Sequence, residues 1–159
     1  LVPKEYDVEC VMVGKGPELE KVKQLAETCP HKITFLKHMP RQDVLNQLKQ
    51  GDIFITPSLK DACNLTLLEA MTVGLPIICL NWSGMAISTD DSCAIRLPVT
   101  NPKQMPKDMA AAIIQLIESP KLRKRLGCAA RERIRTIFNW DAKGDFMENL
   151  FEKLDKQCR

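Results

Sequence analysis

The segment PSLKDACNLTLLEAMTVGLPIICL, residues 57–80, decides the fold of this chain. It follows an apolar run, residues 53–56, and opens with residues typical of a turn. An apolar helical stretch comes next, Gly74 and Pro76 end it, and a second apolar run closes the segment. This order predicts a strand–loop–helix–strand unit, the elementary piece of a parallel α/β sheet.

The loop at residues 57–64 is where we expect a binding site. Ligands of parallel α/β sheets lie at the carboxyl ends of strands, against helix N-termini with free backbone N–H groups. Two carboxylates bracket the segment, Asp61 in the loop and Glu69 in the helix. Thr66 followed by Glu69 also matches a capping box, in which Glu69 only bonds a backbone N–H. The spacing alone favours the capping role for Glu69 over a role in binding.

The pattern Asp61-x7-Glu69, together with LTLLEAMTVGLPII at residues 65–78, resembles the E-x7-E signature of retaining GT-B glycosyltransferases of the family 4 type. The chain departs from that signature at Asp61, which replaces a Glu, and at residues 62–64, Ala-Cys-Asn, which replace Gly-Phe-Gly. The resemblance covers nearly the whole chain. It implies the C-terminal, nucleotide-sugar donor-binding domain of such an enzyme.

The rest of the chain continues the alternation of strands and helices. Apolar runs predict strands at residues 8–13, 33–36, 52–56, 76–80 and 94–97. From residue 105 onward the apolar spacing is helical, and FNWD at residues 138–141 resembles the family's start of a terminal helix. We therefore expect an α/β fold: a Rossmann-like parallel sheet of about five strands flanked by helices, with a helical C-terminal segment.

One domain, residues 1–159, is expected from the length and the 45% hydrophobic content. Because the chain opens with Leu-Val-Pro and no Met, we interpret it as a fragment of a longer protein. The resemblance implies that an acceptor-binding N-terminal domain and the first strand of this domain are missing. That strand is central in the family's sheet, so the five remaining strands are expected to pair imperfectly.

The resemblance also assigns roles to residues of the signature segment. Asp61 would accept hydrogen bonds from the donor-sugar hydroxyls, and Glu69 from the ribose hydroxyls. The helix start, with Asn64, Leu65 and Thr66, would offer backbone N–H groups to the diphosphate. Asp is one methylene shorter than Glu, and Asn64 adds a side chain where the family has glycine.

Two earlier loops complete the site that the resemblance implies. The G-x-G-P loop with Gly14 and Gly16 lines the nucleotide-sugar pocket in the family, although a lone G-x-G can equally just turn the chain. Lys37 opens the exit loop of the second strand, which touches the donor base in the family. His38 in that loop receives no catalytic role. We expect no catalytic residue within the fragment, no metal site and no cofactor.

Composition excludes several other classes of function. A net charge of +3 and 5% aromatic residues argue against nucleic-acid binding. No apolar run approaches the ~20 residues of a membrane helix. Seven scattered cysteines without metal-ligand spacing favour a reducing, cytoplasmic location. The basic helix after Pro120 has two interpretations: peripheral association of the parent protein with an anionic membrane, or a solvated face, which we favour.

The leading hypothesis is an intact enzyme that transfers a sugar from a nucleotide-diphosphate sugar to an acceptor with retention, the fragment alone being inactive. An alternative is a non-catalytic nucleotide-binding or regulatory domain, in which the changes at residues 61–64 mark lost activity. An unrelated Rossmann-like cofactor domain is disfavoured, because no third glycine follows Gly14-Lys15-Gly16 at the required spacing. The sequence leaves the sugar, the base and the acceptor open.

Overall fold

A computed structural model describes the backbone of residues 1–158 and the side chains of residues 1–156. Strands and helices alternate along the first two thirds of the chain, and three long helices follow, as predicted. In chain order the elements are β1 (Glu9–Val13), α1 (Leu19–Ala26), β2 (Lys32–Leu36), α2 (Arg41–Gln50), β3 (Phe54–Thr56), α3 (Leu65–Val73), β4 (Ile77–Leu80), α4 (Ser83–Ser88), β5 (Ala94–Leu97), α5 (Met105–Glu118), α6 (Pro120–Ile137) and α7 (Trp140–Cys158).

All five predicted strands form, and every pair is parallel, but they make two sheets rather than one. β1 pairs with β2, and β3, β4 and β5 pair in that order. Within the described part of the chain, no ladder joins β1 to β3. The α/β class and the helical C-terminal segment are confirmed, and the interruption between β1 and β3 agrees with the expectation that the five strands pair imperfectly.

The core lies around β4, whose four residues are all fully buried. Successive side chains of a strand point to opposite faces. Accordingly, Ile77 and Cys79 join a cluster with Leu67 and Met71 of α3, while Ile78 joins residues of α5 and α6 on the other face. The apolar run that predicted this strand is therefore continuous because both faces are covered by helices.

Both ends of α3 are fixed by specific contacts. At the start, the Asn64 side chain accepts a hydrogen bond from the N–H of Leu67 at 2.9 Å. At the end, Gly74 takes a left-handed conformation with φ 84°, and its N–H and that of Leu75 bond back to the last turn. Arg131 of α6 also donates to the Val73 carbonyl at 2.7 Å, a favourable place for a cation.

The first part of the chain is much less buried. None of residues 1–55, all of which the structure describes, is buried, and every residue of β1 is exposed. Neither α1 nor α2 contains a buried residue. The link to the core is α2, because Leu48 packs against the cluster around α3. The two sheets therefore differ sharply in how well they are covered.

The basic helix α6 is held to the fold by several of its own arginines. Arg123 donates to the carbonyls of Leu116 and Ile117 at the end of α5. Arg133 donates to the Ser88 carbonyl at 2.8 Å. Together with the bond of Arg131, these bonds show that several basic residues of α6 stabilise the fold by binding main-chain carbonyls. They support the interpretation of this helix as an amphipathic element of the domain.

The terminal helix α7 carries an exposed apolar face. Phe146, Leu150 and Leu154 are 64%, 39% and 48% exposed. These three residues lie four apart, so they share one side of the helix. No helix in the described residues is both long and apolar enough to cross a membrane.

Candidate functional site

The predicted site residues lie at the carboxyl ends of parallel strands. Gly14 follows β1, Lys37 follows β2, and the loop with Asp61 follows β3. The first two belong to the two-stranded sheet and the loop to the three-stranded sheet. Helix α2 follows β2 and helix α3 follows the Asp61 loop, and an ion pair between the two helices links these two groups of loops. The candidate site therefore spans the interruption between the sheets.

Asn64 caps α3, and its backbone conformation is one that residues other than glycine readily adopt. Its φ and ψ are −77° and 93°, its amide oxygen accepts from the Leu67 N–H, and its amide nitrogen donates to the Thr56 hydroxyl at 3.1 Å. The backbone N–H groups of Leu65 and Thr66 have no partner in the described residues. The helix start therefore presents two free donors at the positive end of its dipole.

The backbone of the loop is fastened to the start of α4. The Asp61 carbonyl accepts from the Gly84 N–H at 3.1 Å and from the Ser83 hydroxyl at 3.0 Å. A Cβ on Gly84 would lie 2.1 Å from the Ala62 carbonyl oxygen, so only glycine allows this approach. No side-chain bond of Asp61 to another described residue holds its carboxylate. The loop is thus fixed through its backbone.

Ser83 and Gly84 are positioning residues that sequence reasoning gave no role. Their signal is the NWSG turn at residues 81–84, directly after the buried strand β4. Ser83 has a φ of 51°, which is uncommon for a residue with a side chain. That conformation turns the chain so that the Gly84 N–H and the Ser83 hydroxyl both face the loop.

The capping-box interpretation of Thr66 and Glu69 is wrong. Asn64 is the capping residue, which makes Glu69 the fifth residue of α3 rather than the third. Its carboxylate accepts a hydrogen bond from Nε of Arg41 at 2.5 Å, and its side chain is only 15% exposed. In the described residues, the Glu69 carboxylate therefore makes no hydrogen bond to a backbone N–H at the start of α3. Arg41, its partner from the first residue of α2, was missed because nothing in the local sequence connects the two.

The glycines after β1 lie in open surroundings. Gly14 has a φ of 148° and donates its N–H to the Leu36 carbonyl at 3.1 Å, which joins the ends of β1 and β2. A Cβ at either Gly14 or Gly16 would meet nothing within 4 Å. The space next to these glycines is therefore open to a ligand. Lys37, which directly follows Leu36 in the chain, is exposed.

Asp90 and Asp91, in the loop before β5, each form an ion pair. Asp90 pairs with Arg133 of α6, and Asp91 pairs with Arg96 of β5. Hydrogen bonds from the Ser92 hydroxyl and N–H, with the charge of Arg133, hold the pKa of Asp90 below its usual value. These groups stabilise the β5 region. Among the described residues there is no cluster of three His, Cys, Asp or Glu side chains that could hold a metal ion.

The cysteines differ in how deeply they are buried. Cys79 and Cys93 are buried, and burial raises the pKa of both thiols. Cys63, next to the capping residue Asn64, is exposed. All cysteines of residues 1–156 are free thiols. Disulfide bonds therefore play no part in the described fold.

Solved structures of similar fold are glycosyltransferases and related synthases. Sucrose-phosphate synthase from Thermosynechococcus elongatus superposes with a TM-score of 0.73 at 23% identity, over 92% of this chain and 38% of that one. An Anabaena protein crystallised with UDP-glucose gives 0.73 at 16% identity, over 89% of this chain and 40% of that one. The parallel strands and flanking helices thus define a Rossmann-like domain of the GT-B fold.

Sequence comparison identifies the family. The model of glycosyl transferases group 1 matches residues 1–133, so the chain belongs to this family. An uncharacterized glycosyltransferase of Methanocaldococcus jannaschii is 30% identical over 96% of the chain. A GDP-mannose-dependent phosphatidylinositol monomannoside mannosyltransferase of Corynebacterium glutamicum is 23% identical over 92% of it. The chain spans 39% of the length of each of these two relatives.

Proposed function

We propose that this chain is the donor-binding domain of a retaining glycosyltransferase of the family 4 type. The parent enzyme would transfer a sugar from a nucleotide-diphosphate sugar to an acceptor and keep the anomeric configuration. One observation carries the proposal: α3 presents the free N–H groups of Leu65 and Thr66 at its start and the half-buried carboxylate of Glu69 one turn later. A diphosphate and a pair of sugar hydroxyls need this combination of donors and acceptor.

Charge development during transfer explains the helix terminus. When the glycosidic bond to the donor breaks, negative charge grows on the leaving diphosphate and positive charge on the sugar carbon. The N–H groups of Leu65 and Thr66, at the positive end of α3, are placed to stabilise the diphosphate. The capping role of Asn64 supports this arrangement because it satisfies the Leu67 N–H and leaves the two preceding donors free.

The carboxylates would select the sugars. In this proposal Glu69 accepts hydrogen bonds from the ribose hydroxyls, and Asp61 from hydroxyls of the transferred sugar. The backbone bonds from Ser83 and Gly84 support the second role, since they fix the loop while leaving the Asp61 carboxylate free. The open loops at Gly14, Gly16 and Lys37 would border the nucleotide. The names of the relatives include both a GDP-sugar and a UDP-sugar, so we propose the donor only as a nucleoside diphosphate sugar.

We further propose that the chain is one domain of a larger enzyme whose other domain binds the acceptor. The open edges of β1 and β3 and the exposed face of α7 support this proposal, as does the share of the relatives that the chain spans. A strand between β1 and β3 would join the two sheets into one. The scattered free thiols support a reducing, cytoplasmic location.

The experiment measures the binding of UDP and GDP to the parent protein by calorimetry, for wild type and Glu69→Gln. If Glu69 holds ribose hydroxyls, the loss of its charge should weaken binding of the preferred nucleotide about ten- to a hundredfold. Thermal unfolding should change little, because the partner Arg41 is 76% exposed. Glu132→Gln, which removes a carboxylate paired with an equally exposed arginine of α6, is the control and should bind normally.

The outcomes separate the proposal from its alternatives. Equal binding by wild type and Glu69→Gln, with a clear loss of stability, would return Glu69 to a structural role and remove the main support for a donor site. A non-catalytic nucleotide-binding domain would bind UDP or GDP but give no sugar transfer in the parent protein. The substitutions Asp61 for Glu and Asn64 for Gly are the observation that favours this second candidate. The 159-residue chain alone should show no transfer in either case.

A further inference from the structure

We propose that Arg41 is a positioning residue that orients the Glu69 carboxylate for the ribose of the donor. The inference rests on the proposed function and extends it to a residue outside the signature segment. Arg41 is the first residue of α2, and its Nε donates to Oε1 of Glu69 at 2.5 Å. Among the described residues, Arg41 makes no other hydrogen bond or ion pair.

The geometry leaves half of the carboxylate available. The bond from Arg41 uses Oε1 of Glu69, and no described side chain or backbone group occupies Oε2. Glu69 is 15% exposed, so its carboxylate is enclosed yet reachable. A glutamate has several rotamers, and a charge-assisted bond to one oxygen restricts them. The second oxygen is then held in one direction, ready to accept from a neighbouring hydroxyl.

The position of Arg41 argues against a role in stability. A cation at the first turn of a helix is disfavoured by the helix dipole, and Arg41 occupies the first residue of α2. Its side chain is 76% exposed, so solvent screens the pair from the Arg41 side even though Glu69 is only 15% exposed. The Arg41 side chain nevertheless reaches Glu69 on α3, although neither the dipole of α2 nor burial of the side chain favours this position. Orientation of Glu69 accounts for this placement.

A positioning role makes a specific prediction about the ligand. Arg41 should matter only for the part of the ligand that Glu69 contacts, namely the ribose hydroxyls. Removal of Arg41 should therefore weaken the binding of a ribonucleoside diphosphate more than that of its 2′,3′-dideoxy counterpart. A direct contact between Arg41 and the phosphates would instead weaken both ligands equally, since both carry the same diphosphate.

The experiment compares UDP and GDP with their 2′,3′-dideoxy counterparts, by calorimetry on the full-length parent protein. Arg41→Ala should lower the affinity for the preferred ribonucleotide about three- to tenfold and change that for the dideoxynucleotide less than about twofold. Arg41→Lys should keep part of the effect, because Lys retains the charge but not the planar donor group. In a Glu69→Gln background, Arg41→Ala should add nothing further.

Arg135→Ala is the matched control, since Arg135 is also 76% exposed and pairs with a glutamate, Glu132, on α6. It should leave both affinities unchanged. Equal losses for ribo- and dideoxynucleotides, or additive losses in the Arg41→Ala, Glu69→Gln double variant, would overturn the inference while nucleotide binding itself still stands. A wild-type protein that binds neither UDP nor GDP would overturn the proposed function and the inference with it.

Discussion

Two strands of similar composition, β1 and β4, have opposite environments. β1 (ECVMV) and β4 (IICL) are both apolar and both parallel to a neighbour. All four residues of β4 are completely buried, whereas Val11, Met12 and Val13 of β1 are 46%, 42% and 40% exposed. We call residues 1–51 the β1–β2 region and residues 52–137 the β3–β5 region. Among residues 1–156, whose side chains the structure describes, every buried residue lies in the second region.

The difference shows that burial of a parallel strand depends on its neighbours rather than on its own sequence. β4 has a strand on each side and helices over both faces. β1 has β2 on one side and, in the described residues, no strand on the other. Parallel sheets are stable when both faces are covered. The β3–β5 region therefore supplies the stability, and the β1–β2 region mainly supplies loops to the site.

The largest expected effect comes from comparing one core leucine with one exposed leucine. Leu67→Ala in α3 removes a side chain with 0% exposure, which should reduce the free energy of unfolding by about 2–5 kcal/mol. Leu25→Ala in α1 removes one that is 65% exposed and should change it by less than about 0.5 kcal/mol. Urea unfolding measures both. Comparable losses for the two variants would show that the β1–β2 region is more tightly packed than its exposure indicates.

A smaller effect is expected from adding a methyl group to a glycine in each region. Gly84→Ala brings a Cβ to 2.1 Å from the Ala62 carbonyl oxygen, so the loop must move, at a cost of about 1–3 kcal/mol. Gly16→Ala meets nothing within 4 Å and should leave stability within about 0.5 kcal/mol of wild type. Thermal unfolding compares them. An unchanged melting temperature for Gly84→Ala would contradict the fastening of the loop to α4.

The smallest effect concerns pH. The Ser92 hydroxyl and Arg133 hold the pKa of Asp90 below its usual value. The ionised Asp90 side chain therefore stabilises the fold at any pH above the usual pKa of an aspartate. This stabilisation should disappear as the pH falls below about 4 through the lowered pKa. Since Asp90 is 41% exposed, it amounts to less than about 1 kcal/mol. The free energies of unfolding of wild type and Asp90→Asn should therefore differ at pH 7, and the difference should shrink as the pH falls below about 4.

Glu9 provides the counterpart of Asp90 in the β1–β2 region. The Thr34 hydroxyl and Lys32 hold its pKa below the usual value as well. Its partner Lys32 is 71% exposed, whereas Arg133, the partner of Asp90, is 19% exposed, so Glu9→Gln should give a smaller pH-dependent difference than Asp90→Asn. A larger difference for Glu9→Gln would reverse the ranking of the two regions. Ser92→Ala, which removes one donor to Asp90, should reproduce part of the Asp90→Asn result.

The sequence predicts local features of the fold well and contacts between distant elements poorly. The bounds of α3 and β5 agree with the prediction, since Gly74 and the apolar run at residues 94–97 act locally. The capping residue was misjudged because Thr66 fits a capping pattern, while Asn64, two residues earlier, makes the bond. The interruption between β1 and β3 was expected only from the family resemblance, because no single run of residues encodes which strands meet.

The site was predicted to a similar extent. The strand–loop–helix order located the loop with Asp61, whereas the roles of Asp61 and Glu69 came from the family resemblance. The structure leaves both carboxylates in reach of a ligand. Their hydrogen-bond donors lie far away in sequence: Arg41, which donates to the Glu69 carboxylate, is 28 residues away, and Gly84, which donates to the Asp61 main-chain carbonyl, is 23 residues away. Contacts over such separations follow from the packing of α2 on α3 and of α4 on the loop. Sequence spacing carries no signal for them.

The exposed thiol of Cys63 gives this protein a built-in attachment point for an optical reporter. Cys63 directly precedes Asn64, so a dye attached there would lie beside the free N–H groups of α3. Cys10 and Cys128 are also exposed and Cys29 is partly exposed, so these three and Cys158 would first be replaced by serine, whereas Cys79 and Cys93 are protected by burial. A change in fluorescence on addition of a nucleotide would then report occupancy in real time, without a radioactive donor or a coupled assay.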